Sequence, residues 1–216
     1  MTSPGTNAFE SPSGVVAIVR LKSPAPDEIA DVLADAGVRF VEITLGTPEC
    51  LATLQRWRTT VPMRVGAGSV RRPSQVADAL AAGAQFLVTP TTRPEVLASA
   101  VGCSVPIACG ALTPSEIESA YESGASLVKV FPVHAIGGPD YIRAVRAPMP
   151  DVPLMPVGNC SVDVAAVYAG LGCAAVGIGS GLVNDEVIAQ RNWAQLHRLA
   201  RAYVAAWDDS STGGDS

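Results

Sequence analysis

Two lysines occur among 216 residues, Lys22 and Lys129, while the other thirteen basic residues are Arg. Lys129 sits inside the apolar run Ser126-Leu127-Val128-Lys129-Val130-Phe131-Pro132. An Arg there would supply charge but could not lose its proton. A Lys stripped of water is instead pushed toward the neutral amine, a nucleophile for carbonyl carbon. Lys129 is therefore a candidate imine-forming residue. The competing reading is a buried Lys held by a carboxylate for structural reasons. A carboxylate in a similar setting is at hand, because Glu42 interrupts the apolar Val41-Glu42-Ile43-Thr44-Leu45. The amine would hold a carbon skeleton while the carboxyl moves protons through a bound water or a substrate hydroxyl, and burial raises a carboxyl's pKa toward the range that general acid–base work requires. The plainer role for Glu42 is a counter-ion that keeps Lys129 charged.

Such a pair needs a frame, and the chain supplies a repeating one. Runs rich in Val, Ile, Leu and Ala recur at 15–21, 40–45, 64–69, 86–90, 105–110, 126–132, 153–158 and 174–180, each followed by a helix-compatible stretch. The runs are continuous rather than alternating, as expected of parallel strands covered by helices. Helix starts are marked by Pro48, Pro94, Pro114 (with a Thr113/Glu116 capping box) and Pro139, and helix ends by Gly37, Gly83, Gly124 and Gly170. Eight strand–helix units predict an α/β fold, a single (β/α)8 TIM barrel over 14–207, with a doubly wound open sheet as the alternative. The Ser-, Pro- and Gly-rich tail 1–13 and the tail 208–216 are expected to be disordered.

A barrel gathers its chemistry at the C-terminal ends of its strands. Lys129 and Glu42 satisfy this, in the sixth and second runs. The ends of the last two runs, Val157-Gly158-Asn159-Cys160-Ser161 and Gly177-Ile178-Gly179-Ser180-Gly181, offer bare backbone N–H groups at a helix N-terminus, suited to a phosphate. Gly66-Ala67-Gly68-Ser69 would admit substrate close to the backbone, with Ser69 adding a hydroxyl.

Composition narrows the classes. Net charge is −5 with no basic stripe, so nucleic acid is not an expected partner. The five cysteines are odd in number and form no C-x-x-C pair, a reduced, intracellular pattern. No signal peptide or apolar run of spanning length is present, and a soluble, cytoplasmic protein without a membrane partner is expected. The two histidines, His134 and His197, lack ligand spacing, so neither a metal nor another cofactor is expected. His134 follows the sixth run and is positioned to line a site there; His197 reads as a surface or packing residue.

The chain resembles the class I 2-keto-3-deoxy-6-phosphogluconate (KDPG) aldolases and the related 2-keto-3-deoxy-6-phosphogalactonate aldolases. The likeness covers about residues 15–206, and is most specific in Gly37-Val38-Arg39-Phe40-Val41-Glu42-Ile43-Thr44-Leu45, Val65-Gly66-Ala67-Gly68-Ser69-Val70, Val88-Thr89-Pro90 and Val128-Lys129-Val130-Phe131-Pro132. The resemblance implies a homotrimeric barrel of carbohydrate metabolism in which Lys129 forms a Schiff base with a 2-keto acid and Glu42 shuttles protons, cleaving C3–C4 to pyruvate and glyceraldehyde 3-phosphate. It also implies substrate contacts from Arg20, Thr44, Gly68, Ser69, Pro90, Phe131 and Val157, and phosphate contacts from Gly158, Asn159, Gly179 and Ser180.

Three positions depart from the family pattern. Gly46 stands where many members carry an Arg for the keto acid carboxylate, leaving Arg20 to supply that charge through its bidentate fork. Val157 replaces a hydroxyl residue of the gluconate branch and is nearer to the galactonate branch. Asn159 replaces the second Gly of a phosphate-binding pair, although a backbone N–H survives there. Gly46 and Asn159 keep open a second reading, a pyruvate-dependent Schiff-base enzyme acting on an unphosphorylated or unusual aldehyde. A third is a non-catalytic barrel that binds a phosphorylated ligand.

Overall fold

The apolar runs become parallel strands because only a strand buried on both faces can use such continuous hydrophobicity. The computed structural model describes residues 9–211. The strands are β1 Gly14–Val19, β2 Phe40–Thr44, β3 Arg64–Gly68, β4 Leu87–Val88, β5 Ile107–Ala111, β6 Leu127–Val130, β7 Leu154–Pro156 and β8 Ala175–Ile178. The helices are α1 Glu28–Asp35, α2 Cys50–Thr60, α3 Pro73–Ala81, α4 Pro94–Gly102, α5 Pro114–Glu122, α6 Pro139–Arg146, α7 Val162–Gly170, α8 Asp185–Ala189 and α9 Trp193–Ser211. Consecutive strands pair in parallel, β8 returns to β1, and the single bridge Val157↔Gly177 joins β7 to β8. The barrel therefore closes, and the open doubly wound sheet is excluded. Closure needs Gly177: a Cβ there would lie 2.6 Å from Val157 Cγ2 and 3.0 Å from Ile18 Cδ1.

The interior is layered. Phe40 and Phe86 fill the lower barrel edge to face, 5.9 Å between centroids, and a Cβ on Gly66 would strike the Phe86 ring at 2.5 Å. Truncating either ring would cost about 3–5 kcal/mol. Two residues further along β2 and β6, where the pleat returns side chains to the interior, stand Glu42 above Phe40 and Lys129 above Leu127. A dry aromatic floor thus carries the polar pair toward the C-terminal ends of the strands. Outside the barrel, Trp57 and Trp207 pack in the core between sheet and helices, and the Trp57 indole N–H donates to Asp27 Oδ1 at 2.7 Å.

The Thr113/Glu116 capping box forms as expected, with Pro94, Pro114 and Pro139 opening their helices. Other boundaries differ. Helix α2 begins at Cys50, two residues after Pro48, because Glu49 adopts a left-handed conformation at the entry (φ 59°). Helix α7 runs through Gly170, and the chain reverses at Gly172 (φ 72°), which abuts the Arg146 guanidinium. Helix α9 continues to Ser211, so 208–211, expected in a disordered tail, are helical beyond the buried anchor Trp207. At the other end Glu10 pairs with Arg39 at 2.8 Å and Arg64 at 3.6 Å, tying part of the expected N-terminal tail to the barrel. The remainder of both tails, 1–8 and 212–216, lies outside the described residues. Among those described, no helix is long and apolar enough to cross a membrane.

Candidate active site

Strand β6 holds Lys129 between Gly110 of β5 and Met155 of β7, leaving the residue 3% exposed. Desolvation pushes its pKa below the usual lysine range and the Arg20 charge adds to this, while Glu42 acts in the opposite direction. Its Nζ lies 5.4 Å from the Phe131 ring centroid, a contact that favours the cation and caps the amine from solvent. Glu42 is 0% exposed, and neither carboxyl oxygen has a hydrogen-bond partner among the described residues. Burial raises its pKa against the attraction of Lys129 and Arg20. The shifts run toward each other, so the amine is drawn to its neutral form and the carboxyl to its protonated one. That arrangement suits nucleophilic attack by nitrogen and proton exchange by oxygen.

A buried carboxyl without partners is a costly exception that calls for an explanation, and a group awaiting a water or a substrate hydroxyl supplies one. Glu42 occupies space that β3 vacates: a Cβ on Gly68 would lie 2.0 Å from Glu42 Oε1. Gly68 thus makes room for the carboxyl, a role distinct from admitting substrate to the backbone.

Next to Lys129 is a cavity of about 420 Å³ whose walls include Arg20, Phe131, Val157, Gly158 and Asn159. Gly179 and Ser180 complete one side, and Ile18 and His134 also line it. Nine of the residues expected from sequence therefore converge on one space. Glu42, Thr44, Gly68, Ser69 and Pro90 are outside this wall. The Thr44 hydroxyl is 3.2 Å from that of Thr47, which donates to the Val19 carbonyl at 3.3 Å, so the pair braces the ends of β1 and β2. Pro90 packs against Gly110, where a Cβ would lie 2.4 Å from the Pro90 carbonyl oxygen, and Ser69 adopts φ 60°. Other cavities, one by Glu10, Arg58 and Arg64 and one between the β2–α2 loop and α3, contain neither Lys129 nor Glu42.

The anion cradle differs from expectation in two respects. The Asn159 N–H does not face the cavity free: it donates to His134 Nδ1 at 3.1 Å, and a Cβ on Gly158 would lie 2.5 Å from that same nitrogen. Gly179 and Ser180 are not at a useful helix N-terminus either. The helix that follows, α8, has five residues, is capped by Asn184 Oδ1 accepting from the Val187 N–H at 2.9 Å, and carries Asp185 and Glu186 in its first turn. Gly179 and Ser180 belong instead to the loop before α8, whose Ser180 carbonyl accepts from Asn184 Nδ2 at 3.2 Å.

Helix α9 clamps both loops. The Tyr203 hydroxyl donates to the Cys160 carbonyl at 2.7 Å and stands 3.3 Å from where a Gly181 Cβ would be. Tyr203→Phe strands a buried carbonyl and is expected to cost about 1–3 kcal/mol. It should lower Tm in thermal melts and raise KM more than it lowers kcat. An unchanged Tm and KM would show that the loops do not depend on this bond.

The sequence singled out Lys129 and Glu42 by polarity and His134 by its place after the sixth run. Ile18 is apolar and carries no such mark; its parity with Arg20, one residue past the end of β1, is the signal that places it on the same side. His197 lies away from the cavity, its Nε2 3.0 Å from Asp35 Oδ2.

Fold and site together define a class: a (β/α)8 barrel with a desolvated lysine and an unpartnered carboxyl above an aromatic floor. The chain belongs to the KDPG and KHG aldolase family, whose family model matches residues 11–199. It is 36% identical over 174 residues to a 2-dehydro-3-deoxy-phosphogluconate aldolase of Pseudomonas aeruginosa, covering 80% of this chain and 79% of that one. It is also 36% identical over 203 residues to the 2-dehydro-3-deoxy-6-phosphogalactonate aldolase of Escherichia coli, covering 88% and 95%. Among solved structures it resembles a KDPG aldolase of Legionella pneumophila with pyruvate captured at low pH as a covalent carbinolamine intermediate. That match has a TM-score of 0.78 and 30% identity, covering 92% of this chain and 96% of that one.

Proposed function

We propose that the protein is a class I aldolase that cleaves a 2-keto-3-deoxy-6-phospho sugar acid, of gluconate or galactonate type, to pyruvate and glyceraldehyde 3-phosphate. The observation that carries this is the buried pair, Lys129 displaced toward the free amine and Glu42 toward the acid with both oxygens unpartnered. The pyruvate carbinolamine in the Legionella relative supports the same chemistry.

Lys129 Nζ attacks C2 of the keto acid to give a carbinolamine, and Glu42 gives its proton to the carbinolamine hydroxyl, which leaves as water to form the iminium. Glu42, now a carboxylate, takes the proton of the C4 hydroxyl through a bound water. The C3–C4 bond then breaks, its electrons enter the iminium to make an enamine, and the aldehyde departs. Glu42 returns a proton to C3, and water hydrolyses the resulting imine to pyruvate and free Lys129. Arg20 pairs with the keto acid carboxylate, Phe131 and Val157 enclose the carbon chain, and Gly179 and Ser180 receive the phosphate. Thr44, Gly68, Ser69 and Pro90 shape the side of the site that holds Glu42. Cytoplasmic location and a homotrimeric state belong to this reading through the family likeness.

Incubation with pyruvate and borohydride is expected to leave a reduced pyruvyl adduct on the Lys129 peptide. No adduct, or one on the exposed Lys22, would sink this reading. Gly46, around which a Cβ would meet nothing within 4 Å, and the engaged Asn159 N–H favour a second reading, condensation or cleavage involving an unphosphorylated aldehyde. Dependence of turnover on the substrate phosphate separates the two.

A further inference from the structure

The His134 ring has a defined orientation. It stands in the 3-10 turn Val133–Ile136 directly after β6, and that turn is tied to the neighbouring loop by the Val133 N–H donating to the Val157 carbonyl at 3.1 Å. A backbone N–H can only donate, so the Asn159 contact at 3.1 Å makes His134 Nδ1 the acceptor. The neutral ring must then carry its proton on Nε2. Glycine at 158 permits this seating, since any Cβ there would collide with Nδ1 at 2.5 Å. The ring is solvent-accessible and lines the same cavity as Lys129, Arg20 and Ser180.

The substrate's two anionic ends compete for few donors. Lys129 is consumed in the imine. With glycine at 46, Arg20 is the cation on the cavity wall left for the carboxylate. The Asn159 N–H is spent on His134. The distal phosphate is left with the Ser180 hydroxyl, nearby loop amides and the Nε2–H of the group that took the Asn159 N–H. We propose that His134 is a specificity-determining residue of this chain, donating Nε2–H to the terminal phosphate of the substrate or aldehyde product. The proposal rests on the aldolase reading.

The test runs in the condensation direction, comparing kcat/KM for D-glyceraldehyde 3-phosphate with that for D-glyceraldehyde, each with pyruvate. His134→Ala removes both ring nitrogens. His134→Asn keeps an acceptor where Nδ1 stood, preserving the Asn159 bond, but lacks the far donor. Both are expected to lower the phospho/non-phospho ratio by roughly tenfold to a hundredfold, the worth of a hydrogen bond to a charged group. If either variant leaves the ratio unmoved, His134 holds the loop and does not read the phosphate. A wild type indifferent to the phosphate would overturn the proposal as well and select the unphosphorylated reading. Borohydride trapping of pyruvate on Lys129, expected in wild type and both variants, reports an intact imine site. Its loss in wild type would refute the aldolase reading itself, a result distinct from a trapped enzyme with an unchanged ratio. Should His134→Ala fail to fold, the Asn variant decides alone.

Discussion

Lys129→Met removes turnover and borohydride trapping while leaving the barrel folded and, near neutral pH, at least as stable as the parent. The loss should be on the order of 10⁵-fold or more, because without the amine no imine forms and no electron sink exists for C3–C4 cleavage. Stability should move the other way because the lysine is 3% exposed and its folded pKa is depressed by desolvation. Between that lowered value and the ordinary lysine pKa the unfolded chain binds a proton that the folded chain does not. The parent must therefore gain stability as pH rises through this window. Met fills similar volume without an ammonium to dehydrate, so the pH-linked gain disappears and the alkaline melts of variant and parent converge. Lys129→Arg supplies the decisive contrast. It keeps a positive charge near Glu42 but cannot form the imine, so it too should be inactive. Activity retained in the Arg variant would mean that Lys129 is a counter-ion and that the nucleophile lies elsewhere.

The features legible in the sequence are those where polarity breaks an apolar pattern. A lysine in Leu127-Val128-Lys129-Val130 and a glutamate in Val41-Glu42-Ile43 announce themselves because their burial is costly, and the barrel follows from eight continuous apolar runs between Pro-opened helices. Features that depend on two distant residues sharing one volume were not legible. Gly68 reads as a glycine that admits substrate to the backbone until Glu42 Oε1 is found where its Cβ would be. The Asn159 N–H reads as an available donor until His134, 25 positions earlier, is found accepting from it. Strand β4 is legible as an apolar run but not as only two ladder residues, since its extent is set by twist and closure around Phe86. Ends set by helix continuation, such as Gly172 in place of Gly170 and Ser211 in place of Trp207, depend on which residue packs last.

Glu42→Gln should lower kcat by roughly 10²–10⁴-fold, the usual contribution of a positioned acid–base group. Pyruvate should still be trapped on Lys129, since the nucleophile remains, but more slowly, since glutamine has no proton to give to the departing carbinolamine hydroxyl. Stability separates a proton shuttle held against burial from a simple counter-ion. The folded pKa of Glu42 is raised, with desolvation the largest cause. Above the ordinary glutamate value the unfolded chain gives up its proton while the folded chain keeps it. Stability from the neutral acid is therefore fully present below about 4.3 and is lost as pH rises through the raised folded value. Glutamine is neutral at every pH and escapes that loss, so the variant should gain on the parent as melts move from acid toward alkaline pH. A constant offset accompanies this, about 1–3 kcal/mol for burying amide hydrogens where neither oxygen of Glu42 had a partner. A carboxylate held ionised by Lys129 would give the reverse trend, with the parent gaining on the variant as pH rises, and kcat would then be expected to survive within tenfold. A pH trend favouring Gln together with a large fall in kcat and a surviving pyruvate adduct is what a buried acid that moves protons around a lysine imine must produce.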